Sequence, residues 1–100
     1  MLLTGLPAWA QTGALRVRVT DPTGARVPRA TVSVRGSHEK IIRQEETDGS
    51  GEIVLTELPM GECAVSVIKG GFLTVRRKAL IRSAEEERLE VRLQLSPPLE

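Results

Sequence analysis

One hundred residues carry fourteen basic and thirteen acidic side chains, a net charge of +1, which excludes the strong positive field that nucleic-acid binding requires. The aromatic residues are Trp9 and Phe72, so a core must come from Val, Leu, Ile and Ala, and at this length it is a single core of modest stability. A lone Cys63 excludes an internal disulfide, and no apolar run reaches the roughly 18 residues of a membrane span.

Residues 1–10 are uncharged and end in Ala8-Trp9-Ala10 before Gln11, the small-x-small pattern of a signal-peptidase site. A basic n-region is missing and the apolar stretch is short, so the segment reads as the C-terminal half of a signal, with a start upstream or a shortened leader. Export to the periplasm, the outer-membrane surface or the extracellular space is the expectation. The domain itself is expected over 11–95, followed by a short tail, 96–100.

From residue 14 onward, apolar residues recur at every second position between turn signals, which predicts strands rather than helices. The first strand is expected at 14–20, with Leu15, Val17 and Val19 inward and Arg16 and Arg18 in water. Asp21-Pro22-Thr23-Gly24 ends it, Pro presetting φ and Gly24 freeing the fourth turn position. The second strand is read at 30–35, with Ala30, Val32 and Val34 inward. A third, at 41–46, has Ile41 beside Ile42 and therefore an ambiguous register. Thr47-Asp48-Gly49-Ser50-Gly51 reverses the chain into a fourth at 52–56. The fifth is read at 63–69, with Cys63, Val65 and Val67 inward and Ser66 on the tolerant outer face. The sixth is 72–81, and the seventh 88–95 with Leu89, Val91, Leu93 and Leu95 on one side. Ser83 to Leu89 fits a capping box but is too short for a helix, and reads as a charged loop. Consecutive strands without helices predict an all-β, seven-stranded antiparallel Greek-key β-sandwich.

The candidate chemical residues all have plainer readings. His38, the one histidine, lies in the polar loop Gly36-Ser37-His38-Glu39-Lys40 with no second ligand, so no metal is expected. Cys63 reads as a small buried hydrophobe without a histidine to activate it. The adjacent Glu45 and Glu46 alternate faces, and Glu85-Glu86-Glu87 falls in a loop, so neither forms a glycosidase-like pair. Asp48-Gly49-Ser50-Gly51-Glu52 alternates oxygen ligands as a calcium loop does but lacks the rest of the coordination set. Arg76-Arg77-Lys78 reads as a solvated strand face balanced by Glu85-Glu86-Glu87. No catalytic, cofactor or metal residue is assigned, and the chain is not expected to be an enzyme.

Five motifs in order, Val-Thr-Asp-Pro-Thr-Gly (19–24), Val-Pro-Arg-Ala-Thr-Val-Ser-Val (27–34), Thr-Asp-Gly-Ser-Gly-Glu-Ile (47–53), Leu-Pro-Met-Gly-Glu-Cys-Ala-Val-Ser-Val (58–67) and Lys-Gly-Gly-Phe (69–72), resemble the carboxypeptidase regulatory-like domain over 14–95. The resemblance implies a transthyretin-like (prealbumin-like) seven-stranded sandwich, of the kind found beside metallocarboxypeptidases, at the N-termini of TonB-dependent receptors and in bacterial surface proteins. Phe72 is expected to plug the core after its Gly pair, and Cys63 stands where the family commonly has Tyr. An isopeptide crosslink of the collagen-adhesin B type needs a first-strand Lys, where this chain has Arg16 and Arg18, and the chain has no Asn. A transthyretin-like hydrolase needs several histidines. Two function classes remain: a noncatalytic structural or interaction module of an exported bacterial protein, with protein partners or parent-protein domains at the cell envelope, or a starch-binding-like carbohydrate module. The second normally needs exposed aromatic faces.

Overall fold

A computed structural model describes residues 11–97; the leader-like segment 1–10 and residues 98–100 of the tail lie outside them. The expected seven strands form: β1 (Thr12–Thr20), β2 (Thr31–Arg35), β3 (Ile41–Glu46), β4 (Glu52–Pro59), β5 (Gly61–Ile68), β6 (Val75–Ile81) and β7 (Glu86–Arg92). They make a three-stranded sheet, β4-β1-β7, facing a four-stranded sheet, β3-β2-β5-β6. No helix forms among the described residues, and β7 begins at Glu86, inside the stretch read as a loop.

The antiparallel reading needs one correction: β1 and β7 are parallel neighbours, in register from Ala14 opposite Glu86 to Thr20 opposite Arg92. Each connection reverses the chain, so odd-numbered strands all run one way, and pairing the first with the last makes a parallel pair. Strand periodicity reports which face a residue takes and carries no information about its partner's direction. The same alternation sends the chain into β1 at one pole of the sandwich and out of β7 at the other. The first pole holds the connections 36–40, around Met60, and 82–85; the second holds 21–30, 47–51 and 69–74.

The core is aliphatic, as composition requires. Leu15, Val17, Val19, Leu55, Leu58, Val91 and Leu93 from one side meet Val32, Val34, Cys63, Val65, Val67 and Ile81 from the other, all buried. Two β-bulges explain where strict alternation fails. In β4, Gly13 pairs Leu58 while Leu15 pairs Leu55, so two residues oppose Ala14 and Glu57 takes φ 58°. That extra residue buries both Leu55 and Leu58 and carries β4 to Pro59, beyond the expected end at 56. In β3, Val34 pairs Arg43 and Arg35 pairs Ile41, so Ile42 is the skipped residue and the Ile41-Ile42 ambiguity resolves into a bulge.

Three further expectations shift. β6 starts at Val75; Phe72 precedes it, half-buried against the core and bridged to Leu95. β7 stops at Arg92 because the chain then turns to the 71–73 connection, Leu73 N–H donating to Gln94 O at 2.9 Å and Ser96 N–H to Gly71 O at 3.0 Å. Leu95 is thereby turned out, 66% exposed. Ser66 does face outward but is 6% exposed, because it shares a row with Ser33, Gln44 and Arg76 and small side chains in mid-row are shadowed by longer flanking ones.

The second pole is locked by Thr47, a buried polar residue. Its hydroxyl donates to Val27 O at 2.7 Å and accepts Ala30 N–H at 2.9 Å, while its own N–H reaches Ala30 O at 2.9 Å and its carbonyl accepts Arg29 N–H at 3.0 Å. Gly51 completes the lock. At φ 74° it approaches Val19 O and Val27 N so closely that a Cβ would stand 2.9 Å from each, and its carbonyl accepts Val19 N–H at 2.8 Å. Thr47→Val keeps the shape but unpairs two buried backbone groups, at about 1–3 kcal/mol for each. Urea denaturation is expected to show that loss in Thr47→Val and to recover most of it in Thr47→Ser, which keeps the hydroxyl; equal midpoints for wild type and Thr47→Val would refute the lock.

Candidate functional site

The outer face of the three-stranded sheet carries a charge network. Because β1 alternates, Arg16 and Arg18 emerge together between β4 and β7. Arg16 donates from its guanidinium to Glu52 at 2.9 Å and from Nε to Glu86 at 2.7 Å, spanning all three strands. Arg18 lies 3.3 Å from Glu52 and 3.8 Å from Glu90, and Arg26 lies 3.3 Å from Glu52. Glu52 thus faces three guanidinium groups. Its hydrogen bond from Arg16 holds its carboxyl below the usual range, with Arg18 and Arg26 adding attraction, and the bonds to Glu86 and then Glu52 raise Arg16. The expectation that Arg16 and Arg18 simply face water is refined: both are half-buried and paired.

The Asp48 loop is built as a turn. Asp48 Oδ1 accepts Ser50 N–H at 2.8 Å, Ser50 Oγ–H at 2.9 Å and Glu52 N–H at 3.1 Å. Asp21 does the same with Thr23 N–H (2.8 Å), Thr23 Oγ–H (2.6 Å) and Ala25 N–H (3.0 Å). These Asx turns commit the carboxylate oxygen to the chain itself rather than to a cation. Donors to the charged form lower both groups, chiefly the Glu52 amide for Asp48 and the Thr23 hydroxyl for Asp21.

At the first pole, the 36–40 hairpin, the Pro59–Ala64 stretch and Lys78 wall an open cleft of ≈ 770 Å³. It brings His38 and Cys63 to the walls of one depression, a juxtaposition the sequence did not suggest. No hydrogen bond joins them among the described residues; His38 is exposed, and burial, then Glu62, pushes the Cys63 thiol up, away from the nucleophilic thiolate. Glu45 sits opposite core-facing Val32 and Glu46 opposite Thr31, on alternate faces as expected. The acidic run does not balance Arg76-Arg77-Lys78: Glu86 turns to Arg16 and Glu87 to Arg82, while Lys78 lies 4.0 Å from Glu62. Among the described residues no group of three or more His, Cys, Asp or Glu could hold a metal ion.

The sequence places Glu52 in a possible calcium loop and Thr47 in a turn, and it is their roles as ion-pair hub and crossover lock that sequence reasoning misses. Glu52 has a legible signal, its place directly after the Asp48 turn and on the outer face of a strand; Thr47 has none, since nothing local marks a threonine as buried.

The geometry defines a β-sandwich module in which Thr47, Asp21, Asp48 and Glu52 serve crossovers, turns and strand pairing. The profile of the carboxypeptidase regulatory-like domain matches residues 14–94, and the chain belongs to that family. No curated protein matches its sequence. Among solved structures it is similar to BcpA, the major pilin subunit of Bacillus cereus, with 19% identity and a TM-score of 0.75 over 88% of this chain and 30% of that one. The TIE protein of Bacillus anthracis gives 19% identity and a TM-score of 0.71 over 85% and 17%. GBS52, the minor pilin of Streptococcus agalactiae, gives 14% and 0.71 over 90% and 47%. These likenesses are of fold, and the chain spans less than half the length of each of these proteins.

Asp21, Asp48 and Glu52 all have lowered folded-state values, so the unfolded chain binds protons first as pH falls, and their stabilisation is present above the ordinary carboxylate range and lost below about pH 4. Melting temperature is expected to drop from pH 5 to pH 3, less steeply in Asp48→Asn; a flat profile would contradict the assignment. Cys63, 6% exposed, is expected to resist alkylation in the native protein and to react on unfolding, whereas rapid native labelling would place it at the surface.

Proposed function

We propose that this chain is a noncatalytic structural module of an exported bacterial protein, one that joins or spaces neighbouring domains at the cell envelope. The observation that carries the reading is the passage of the chain into β1 at one pole and out of β7 at the other, which suits serial insertion between other domains. Family membership supports it, as does a fold shared with proteins described as pilin subunits. The disposition of the polar groups adds to this: Arg16, Arg18 and Arg26 are engaged by Glu52, Glu86 and Glu90, Asp21 and Asp48 by amides of their own turns, and the thiol is buried. Export is supported by the Ala8-Trp9-Ala10 pattern.

The carbohydrate-binding alternative gains nothing from the sandwich surface, because Phe72 packs half-buried against the core rather than offering an exposed stacking face. The reading is tested on the full chain in two ways. Mass spectrometry of exported material is expected to find Gln11 as the mature N-terminus, and a glycan array to show no reproducible polysaccharide binding. Intact Met1 in the exported fraction would overturn the processing, and reproducible binding to a polysaccharide would move the function to the carbohydrate class.

A further inference from the structure

We infer that the β1–β7 pair is a tension clamp, so that the module resists mechanical load applied between its two poles. This goes beyond the reading above, since a spacer needs no resistance to pulling.

β1 and β7 run parallel, side by side, over seven register pairs from Ala14–Glu86 to Thr20–Arg92. Tension on the ends of the chain therefore draws β1 toward the first pole and β7 toward the second, along the strands and in opposite senses. Bonds of a parallel ladder are evenly spaced across the gap between strands, so sliding loads the whole row together instead of opening it one bond at a time.

The surroundings oppose sliding as well. β1 is the central strand of its sheet, held on its other side by β4 from Thr12–Pro59 to Arg18–Glu52, so it cannot move without disturbing both ladders. A slip of one residue would turn Leu15, Val17 and Val19 out of the core, and these three are buried. Where β1 begins, Gly13 is wedged so tightly that a Cβ would stand 2.4 Å from Ser83 O and 2.6 Å from Ile81. The ion pairs Arg16–Glu86 and Arg18–Glu90 cross the same gap. Past the end of β7, Leu93 N–H donates to Thr20 O at 2.8 Å, extending the contact by one step.

The axis from the N-terminal end to residue 38 lacks this geometry. Position 38 lies in the hairpin at the first pole, where β1 also begins. Load between the chain's N-terminal end and residue 38 pulls on the ends of ladders, opening Thr12–Pro59 and Arg35–Ala64 first, and each pair then breaks in turn.

Single-molecule force spectroscopy on the full chain decides the matter. Handles are attached either at the two chain ends or at the N-terminal end and a reactive residue replacing exposed His38. The folded protein is the same in both cases, and forced unfolding is governed by the barrier along the pulled direction rather than by equilibrium stability. At equal loading rate, end-to-end pulling is expected to need a several-fold higher rupture force and to yield in one step. Equal forces along the two axes, or a lower end-to-end force, would overturn the clamp.

Discussion

The fold depends first on the joining of its two crossovers at the second pole. Residues 27–30 carry the chain from the three-stranded sheet to the four-stranded one, and 47–51 carry it back. Both are irregular backbone in a crowded place, where unpaired N–H and C=O groups are expensive. Thr47 and Gly51 resolve this by pairing each crossover with the other instead of with water. Once they are pinned, Val19, Val27 and Ala30 close the end of the core, and β4 is delivered beside β1. The motifs at 27–34 and 47–53 belong together in sequence because they touch in space.

How much of this could be read from the chain depends on which interactions are local. Leu15, Val17 and Val19, or Val32 and Val34, announce their faces through period-2 alternation, and Gly24, Gly51 and Gly61 announce positive φ through the turns around them. The pairing of β1 with β7 is not local: it joins residues some seventy positions apart, and nothing in either strand encodes its neighbour. The β3 bulge is visible only as the failure of pattern at Ile41-Ile42, and the β4 bulge at Thr56-Glu57 falls where the expected strand stops. Leu95 continued the alternation perfectly and was still misplaced, because backbone bonds from the 71–73 connection outcompeted continuation of β7. Ser66 took its predicted face but not its predicted exposure, since shadowing depends on side chains two strands away. For the candidate site the same division holds. The Asp turns were legible; the meeting of three arginines on Glu52 was not.

The two outer faces have different characters. On the three-stranded sheet, Arg16 and Arg18 of β1 pair with Glu52, Glu86 and Glu90 of the flanking strands, while Arg88 lies opposite Arg16. Such exposed pairs stabilise only weakly one by one, and Arg16 links β4, β1 and β7 through two of them. The four-stranded sheet has small residues, Thr31, Ser33, Ala64 and Ser66, along its middle and the exposed Ile68, Leu80 and Ile41 around them. Arg76, Lys78 and Glu62 share this face, and Lys78 lies 4.0 Å from Glu62.

The strand edges show how a sandwich of this kind can sit among other β domains without adding strands from them. β3 and β6 are the edges of the four-stranded sheet, and both place charges on the side that faces the core. Arg43 pairs Val34, Glu45 pairs Val32 and Arg77 pairs Val65. Arg43 is used to close the seam, donating from Nε to Thr56 O at 3.0 Å and lying 3.5 Å from Glu57. A strand added at either edge would have to bury those charges or displace them, which is the usual protection against edge-to-edge association. β4 ends in Pro59, and β7 presents Glu86, Arg88 and Glu90. Each of the four edges thus carries charge or proline where a further strand would pair.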